Sequence, residues 1–281
     1  MKIAIQGILG SFHHLVAANY FANDSTYVEC MTFREIPELL RNGTVDAAVM
    51  AIENSNTGSI LSNYGLIDKY DLNIQGEVYM SMFHNLMALK GQKISDIKEV
   101  WSHPIAIQQC EHFFRHHPNI KIIEANDTAF AAKQIKENKL KGIAAIASTK
   151  AAEIYDLQIL EEHIQTDSFN MTRYFVLTKK RDFNVELHLH NKASLKFTAP
   201  DKQGSLAEIL TISAEHGLNL SKIQSMPIAN EHWNYAFFID FTYVDYLKYC
   251  NALLMLENKV NNLKILGEYS ENMPSLKKQI A

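Results

Sequence analysis

The sequence predicts an α/β protein made of a two-lobed N-terminal region and a smaller C-terminal domain of βαββαβ order. Short apolar runs alternate with helix-period stretches in two successive series, which is the rhythm of βαβ units. A different order of elements begins after residues 179–192, whose charged residues and histidines predict an interdomain linker. With 281 residues, 47% hydrophobic and 21% charged, the chain is long enough for two folded domains.

Each lobe of the N-terminal region is predicted from one series of strands and helices. In the first lobe, we expect strands at residues 3–6, 28–31 and 47–52, with helices beginning near Ser11 and Phe33. In the second, we expect strands at residues 99–102, 120–124 and 143–147, a helix at residues 105–116 and another from Thr128. Residues 72–89 and 163–177 would cross between the lobes, so a hinged cleft is predicted.

The C-terminal domain is predicted as one ferredoxin-like βαββαβ unit. Its strands and helices are expected, in chain order, at residues 194–198, 205–216, 219–226, 235–241, 245–257 and 262–269.

Composition excludes several classes of protein. A formal charge of −4 and a pI near 6.3 argue against nucleic acid as a partner. The apolar run after Met1 is too short for a signal peptide, and no stretch approaches the roughly 18 apolar residues of a membrane span. We therefore expect a cytoplasmic protein without a membrane partner.

Cysteine and histidine spacing predicts neither a disulfide framework nor a metal site. Cys30, Cys110 and Cys250 are widely separated and form no CxxC pair, so we expect reduced thiols. The histidine pairs 13–14, 116–117 and 188/190 lack a carboxylate or cysteine at a recognised ligand spacing.

Four predicted strand-to-helix turns carry polar groups, at residues 7–12, 52–58, 102–104 and 126–129. The first has glycines that let backbone N–H groups approach an anion, although Ser11 also fits a plain helix cap. Capping is the better interpretation of residues 126–129 taken alone. Because ligands of α/β proteins bind beyond the carboxyl ends of strands, the four turns together predict one cleft. His84 fits a satisfied half-buried histidine or a cleft residue, and the former is favoured at this point.

Thr172 and Arg173 open an apolar, strand-like run that continues to Leu177. A hydroxyl beside a guanidinium at the start of a strand suits a small anion that bears a leaving hydroxyl group. This pair is the strongest single indication of function in the sequence.

Taken in order, the motifs resemble the prephenate dehydratase family over nearly the whole chain. They comprise residues 7–12, Ile52-Glu53-Asn54-Ser55, Ser102-His103-Pro104, Asp127-Thr128-Ala129, residues 144–148 and Asn170-x-Thr172-Arg173-Tyr174. Gly204-Ser205-Leu206 and residues 219–225 resemble the family's C-terminal ACT regulatory domain. The resemblance implies a catalytic domain at residues 1–180 with two lobes like a type II periplasmic binding protein. Lobe one would cover about 1–75 plus 160–180, lobe two about 76–159, and the ACT domain 192–270.

The family's reaction converts prephenate into phenylpyruvate, carbon dioxide and water, and needs positioning and partial protonation but no cofactor. By resemblance, Thr172 acts on the departing hydroxyl and Arg173 pairs with a substrate carboxylate. The expected substrate contacts are Ser11, Asn54, Ser55, Thr128, Asn170 and Tyr174, with backbone donors from the Gly10-Ser11 turn. Since a threonine hydroxyl is too weak an acid to act alone, Glu53, His84 or a bound water would replace its proton.

The resemblance also implies L-phenylalanine as an effector bound between ACT domains of a dimer or tetramer. The expected effector contacts are Gly204, Ser205, Leu206, Asn219, Gln224 and Ser225. Gln224 and Met226 stand where the family has glutamate and arginine, so a charged pair is absent and effector binding is expected to be weaker, altered or lost.

Three functions compete. The leading one is a monofunctional prephenate dehydratase that acts in phenylalanine biosynthesis, because no room for a chorismate mutase domain precedes Met1. The second is an arogenate dehydratase, with the same chemistry on an amino-bearing substrate. The third is a non-catalytic sensor of an aromatic acid, which an intact Thr172-Arg173 pair argues against.

Overall fold

A computed structural model describes residues 1–21, 24–179, 189–228 and 234–272. Most of the predicted linker at 179–192, including His188 of the histidine pair, lies outside these residues. Contacts divide the chain into two compact units. The first contains Met1–Ser59 and Tyr79–Tyr174, and the second contains Ile60–Val78 together with the described residues from Phe175 onward.

The described strands are β1 (Lys2–Gln6), β2 (Thr26–Cys30), β3 (Ala47–Asn54), β4 (Gly58–Ser59), β5 (Leu72–Ser81), β6 (Asn85–Ala88), β7 (Glu99–Ser102), β8 (Lys121–Glu124), β9 (Ile143–Ala147), β10 (Gln158–Glu161), β11 (Met171–Lys179), β12 (Lys192–Thr198), β13 (Asn219–Pro227), β14 (Tyr235–Thr242) and β15 (Asn261–Tyr269). The helices are α1 (Phe12–Tyr20), α2 (Glu35–Arg41), α3 (Leu61–Lys69), α4 (Pro104–Gln109), α5 (Glu111–His116), α6 (Thr128–Glu137), α7 (Thr149–Ile154), α8 (Ser205–Glu215) and α9 (Tyr246–Glu257).

The first sheet has the strand order β2-β1-β3-β11-β5, with β4 paired to β3. β1 runs parallel to β2 and to β3, with Ile3 opposite Tyr27 on one side and Ala47 on the other. Strands of a parallel sheet are buried on both faces, which is why β1 and β3 are continuous apolar runs rather than alternating ones. β5 and β11 contribute residues to both compact units.

The second sheet has the order β10-β6-β9-β7-β8 and lies entirely in the first unit. β7 is parallel to β8 and β9, whereas β6 is antiparallel to β9 and β10. One apolar cluster forms around the alanines of α6 and another around Phe113 and Phe114 of α5. The predicted α/β rhythm is thus observed in both sheets.

The predicted helix at 105–116 is wrong as a single element. The chain forms α4 and α5 with a break at Cys110, whose φ of −108° and ψ of 21° are not helical. This break ends α4 at Gln109, and α5 begins at Glu111. Strands β4 and β10 were not predicted, because both are short and carry no clear period.

The C-terminal part shows the predicted order β12-α8-β13-β14-α9-β15, with sheet order β13-β14-β12-β15. One face of this sheet forms an apolar core with α8 and α9 around Phe241 and Tyr249. Within the same unit, α3 lies on the other face, where Tyr64 contacts Phe238 with ring centroids 5.3 Å apart. Among the described residues, every helix is too short or too polar to span a bilayer.

Candidate active site

Thr172 lies beside Asn54 because the end of β3 is tied to the start of β11. Ser55 donates its backbone N–H to the Met171 carbonyl at 2.8 Å, and the Met171 N–H donates to Ser55 Oγ at 3.0 Å. The Ser55 hydroxyl, predicted to contact substrate, therefore takes part in joining two strands. Thr172 is 6% exposed and its Oγ1 accepts a hydrogen bond from Asn54 Nδ2 at 2.9 Å.

The orientation of the Asn54 amide is determined by the backbone. Its Oδ1 accepts the N–H groups of Asn56 and Thr57 at 2.9 and 3.1 Å, and these groups can only donate. Nδ2 must then face the opposite side, where it lies 2.7 Å from Asn170 Oδ1 and 2.9 Å from Thr172 Oγ1. Because Thr172 Oγ1 accepts from Asn54, its one hydrogen is not used by Asn54 and can be donated to the neighbouring Tyr174 oxygen or to a ligand.

Gln109 and His84 continue the hydrogen bonds that begin at Thr172 and Asn54, so that the four side chains form one line. Gln109 Nε2 lies 3.5 Å from Asn54 Oδ1, and Gln109 Oε1 lies 2.8 Å from His84 Nε2. Sequence reasoning did not select Gln109 as a site residue. The available signal was its place one turn after the Ser102-His103-Pro104 motif, at the end of α4.

Asn170 and Tyr174 complete the surroundings of Thr172. Asn170 is buried, and within the described part of the chain its Nδ2 has no hydrogen-bond partner. Tyr174 shares the face of β11 with Thr172, since residues two apart on a strand point the same way. Its hydroxyl donates to Met82 Sδ at 3.7 Å, and burial raises the pKa of this phenol although a hydrogen bond with Thr172 opposes the shift.

Arg173 and Glu53 point to the opposite face of the sheet from Thr172 and Asn54. Arg173 is 2% exposed and its Nη1 lies 3.1 Å from Glu53 Oε1. The guanidinium also lies 5.8 Å from the ring centroid of Tyr79. The structure therefore does not bring Arg173 or Glu53 to the Thr172 side of β11, because successive residues of a strand alternate between faces.

The glycine turn between β1 and α1 does not offer the backbone donors that were expected. Gly10 N–H donates to His14 Nδ1 at 3.1 Å and Ser11 N–H to the Ile8 carbonyl at 2.9 Å. The Ser11 hydroxyl accepts from His14 N–H as the N-cap of α1 and is almost completely buried. The expectation that this turn binds an anion is corrected, since its N–H groups are satisfied internally.

Asp127 and Thr128 begin α6 beside the same glycine turn. Asp127 caps the helix by accepting the Phe130 N–H at 2.9 Å, so the capping interpretation is confirmed. A Cβ on Gly7 would lie 2.6 Å from Asp127 Oδ2, which shows how closely the carboxylate packs. Burial raises the pKa of Asp127 to about 6. Thr128 is buried at the first position of α6, and no contact with Thr172 brings it into the line described above.

The buried His13 of α1 has a hydrogen-bond partner outside the group formed by Thr172, Asn54, Gln109 and His84. His13 Nε2 accepts the Ala51 N–H at 3.2 Å, and burial lowers the pKa of His13 to about 3. His13 is therefore neutral and structural. Among the described residues, no group of three or more histidine, cysteine, aspartate or glutamate side chains is arranged to hold a metal.

The predicted effector residues lie in two places in the C-terminal sheet and helices. Gly204 takes a left-handed conformation with φ of 84° ahead of Ser205 and Leu206, which begin α8. Asn219 donates to Thr242 Oγ1 at 3.2 Å, and Gln224 donates to the Ser225 carbonyl at 3.0 Å. Gln224 and Ser225 point to opposite faces of β13. Met226, on the Gln224 face, lies next to Gly65 of α3.

Comparison with known proteins agrees with this architecture. A family model described as prephenate dehydratase matches residues 3–182. A curated relative from Arabidopsis thaliana, arogenate dehydratase/prephenate dehydratase 2, chloroplastic, is 36% identical over 281 residues, covering 96% of this chain and 72% of the relative.

Two solved structures share the fold over nearly the whole chain. Prephenate dehydratase from Arthrobacter aurescens, solved in complex with L-Phe, has a TM-score of 0.83 and 26% identity, covering 96% of this chain and 90% of that one. GqqA, described as a novel type of quorum quenching acylase, has a TM-score of 0.88 and 24% identity, covering 97% and 98%. At that identity, the likeness to GqqA shows the fold alone.

The matched family defines an enzyme of the dehydratase, or carbon–oxygen lyase, class. The mixed α/β fold and the Thr172 hydroxyl bonded to the Asn54 amide agree with that class. The chain belongs to the prephenate dehydratase family.

Proposed function

We propose that this enzyme converts prephenate into phenylpyruvate, carbon dioxide and water in phenylalanine biosynthesis. The observation that carries the proposal is the Thr172 hydroxyl, which accepts from Asn54 Nδ2 at 2.9 Å and keeps one hydrogen that it can donate. Prephenate loses a ring hydroxyl and a carboxylate in the same transformation, so a positioned hydrogen-bond donor at the leaving oxygen is the group that the chemistry needs.

The conversion of prephenate is an elimination that consumes one proton. The ring C–O bond breaks as hydroxide leaves, and the C–C bond to the carboxylate breaks as carbon dioxide leaves, its electron pair completing the aromatic ring. Thr172 shares its proton with the departing oxygen, and solvent water replaces that proton. Asn54 bonds this hydroxyl directly, Asn170 and Gln109 bond Asn54, and Tyr174 lies beside Thr172 on the same face of β11.

The other residues predicted to contact substrate have different roles in this proposal. Ser55 and Thr128 flank the strand ends, whereas Ser11 serves α1 as a cap and Arg173 pairs with Glu53 on the other face. We propose that Arg173 and Glu53 hold β11 against β3 rather than contact substrate.

The test is a spectrophotometric assay for phenylpyruvate with Thr172→Ala. We expect turnover to fall at least about a hundredfold, the scale of losing one positioned donor. Thr178→Ala is the matched control, since Thr178 lies on the same strand but donates to none of these amides and is bonded to Asn73. Near-normal turnover by the Thr172 variant would remove it from the mechanism.

Arogenate is the second candidate substrate, because the Arabidopsis thaliana relative carries arogenate dehydratase in its name. The elimination chemistry is the same, so Thr172→Ala cannot separate the two. Measuring kcat/KM on both purified substrates does, and we expect the value for prephenate to be the larger.

We further propose that the two sheets of the N-terminal part are the lobes of a type II periplasmic-binding-protein-like catalytic domain, within residues 1–180. Residues 192–270 would form an ACT regulatory domain in a dimer or tetramer. The βαββαβ order and the sheet order β13-β14-β12-β15 support this assignment. The three free cysteines suit a reducing, cytoplasmic compartment.

L-phenylalanine is the proposed effector, since it is bound in the Arthrobacter aurescens relative. Gly204, Ser205, Leu206, Asn219 and Ser225 are its proposed contacts, with Gln224 on the face that carries Met226. Adding millimolar L-phenylalanine should change both the rate curve and the thermal midpoint, because a ligand that binds the native state stabilises it. If neither changes, the regulatory proposal is wrong while the catalytic one stands.

A further inference from the structure

We infer that His84 is a positioning residue, which sets the direction of the hydrogen bonds that end on Thr172 and does not supply the proton. The inference rests on the proposed function, because it assigns a role within the same site. It begins from a line of four side chains, His84, Gln109, Asn54 and Thr172, in which each polar atom has one orientation compatible with its neighbours.

The direction of the line is set at Asn54. Since two backbone N–H groups fix its Oδ1, the amide nitrogen of Gln109 must be the atom that faces Oδ1 at 3.5 Å. A flipped Gln109 would place two carbonyl oxygens against each other. Gln109 Oε1 therefore faces His84, and this oxygen can only accept.

His84 must then carry its hydrogen on Nε2, which lies 2.8 Å from Gln109 Oε1. The other ring nitrogen, Nδ1, is buried and has no partner among the described residues. The ring is 2% exposed and meets the edge of Phe12 with centroids 5.6 Å apart. Burial lowers the pKa of His84, although its hydrogen bond to Gln109 opposes the shift, so the neutral Nε2–H form fits this environment.

Every donor in the line consequently points the same way. His84 donates to Gln109, Gln109 donates to Asn54, and Asn54 donates to Thr172, so none of the three uses the Thr172 hydrogen, which can be donated to the Tyr174 oxygen or to the substrate. The two intervening groups are amides, which donate hydrogen bonds from nitrogen but do not pass protons from nitrogen to oxygen at neutral pH. His84 thus helps to fix the orientation of the groups that lead to Thr172, but it cannot transfer a proton to Thr172 through the two amides.

Two substitutions distinguish positioning from proton donation. His84→Gln keeps an N–H donor near the position of Nε2 but has no proton to give, and His84→Leu removes the donor. We expect His84→Gln to lose less than about fivefold in kcat and His84→Leu about 10- to 100-fold, with little change in KM, as misplacing a reacting group does. Equal losses in the two variants would overturn the inference.

A double-mutant cycle with Gln109→Leu gives a second test. If His84 acts only through Gln109, His84→Leu should lower kcat in the wild-type background and add less than about twofold when Gln109 is already leucine. Multiplicative losses would contradict the inference. His112→Leu, on the exposed surface of α5, is the control for replacing a histidine in this lobe.

Nitrogen-15 NMR of histidine-labelled protein tests the same point without substrate and without any variant. The expected spectrum at pH 7 shows His84 as the neutral Nε2–H tautomer. The Nδ1–H tautomer or a doubly protonated ring would overturn the inference. If the wild-type enzyme failed to turn over prephenate or arogenate, the proposed function would fall, whereas the tautomer would still report whether His84 orients Gln109.

Discussion

The direction in which the Thr172 hydroxyl donates its hydrogen is set by its neighbours, chiefly by the bond that it accepts from Asn54. Asn54 Nδ2 is shared among three oxygens, those of Asn170, Met171 and Thr172, although it has two hydrogens. Asn170 Oδ1, at 2.7 Å, is the nearest of the three. Asn170 therefore competes with Thr172 for the same donor.

Arg173 gives a prediction that separates a structural from a substrate-binding guanidinium. Arg173→Lys cannot reproduce the planar fork toward Glu53, so we expect the free energy of unfolding to fall by about 1–3 kcal/mol, below the full value for a buried pair since Glu53 is 28% exposed. KM for prephenate should change by less than about threefold. A raised KM with an unchanged thermal midpoint would instead show that Arg173 binds a substrate carboxylate.

At the scale of elements, the site is built where loops after β3, α4 and the segment before β11 meet. β11 presents Thr172 and Tyr174 on one face and Arg173 on the other, so one short motif serves two environments. The glycine turn ahead of α1 is packed on α6 and α7, since Ser148 donates to the Gly10 carbonyl at 2.7 Å. The Gly10 and Ser11 N–H groups already have acceptors within the first turns of this segment, His14 Nδ1 and the Ile8 carbonyl.

The first turn of α6 gives a prediction about pH. The pKa of Asp127 is raised from 3.8 to about 6, first by burial and, more weakly, by the charge of Glu29. The protonated form therefore stabilises the fold below about pH 4, and this contribution is lost as the pH rises through 6. At pH 8 the buried charge opposes folding by up to about 3 kcal/mol, from a shift of about two pKa units.

Asp127→Asn keeps a capping oxygen and removes the charge, so we expect it to stabilise the fold at pH 8 and to have little effect at pH 4. Urea unfolding at the two pH values measures the difference. Asp245→Asn is the control, because Asp245 caps α9 in an exposed position and the change should stay within a few tenths of a kcal/mol at pH 8. Equal effects of Asp127→Asn at both pH values would contradict the assignment.

At the scale of the whole molecule, residues 60–78 connect the loop after β4 to the first part of β5 and pack within the second unit. There Lys192 Nζ lies 2.9 and 3.0 Å from the two Glu77 oxygens, and both residues are 1% exposed. Asn272 N–H donates to the same carboxylate at 3.2 Å. Such a buried pair links β5 to β12, and either charge is costly without the other.

Lys192→Met should therefore lower the free energy of unfolding by about 3–5 kcal/mol, because it leaves the Glu77 charge buried without its partner ammonium. Combining it with Glu77→Leu should recover most of the loss, since an apolar pair of similar volume replaces the ion pair. Lys150→Met is the matched control, because Lys150 and Glu153 form an exposed pair that contributes no more than about 1 kcal/mol. A loss from Lys192→Met no larger than that of the control would show that the buried pair contributes little.

Much of the fold was accessible to sequence reasoning because it follows from local periodicity. Apolar runs predicted β1, β3, β7 and β9, and the order of elements in the C-terminal part agreed with expectation. The prediction was wrong for the helix at 105–116, since the break at Cys110 has no sequence mark such as glycine or proline. The expectation of free backbone donors in the glycine turn was also wrong. The Gly10 and Ser11 N–H groups donate to His14 Nδ1 and to the Ile8 carbonyl, which the spacing of the glycines does not indicate.

By itself, the sequence determined the α/β class and the family, because these depend on local patterns and ordered motifs. Only the tertiary structure decided which side chains meet at Thr172. Asn54 and Thr172 are 118 positions apart and are in contact because β3 and β11 are neighbours in one sheet, while Gln109 reaches Asn54 from the end of helix α4. Arg173 and Glu53 lie on the opposite face of these strands from Thr172 and Asn54, since the side chains of a strand alternate between its two faces.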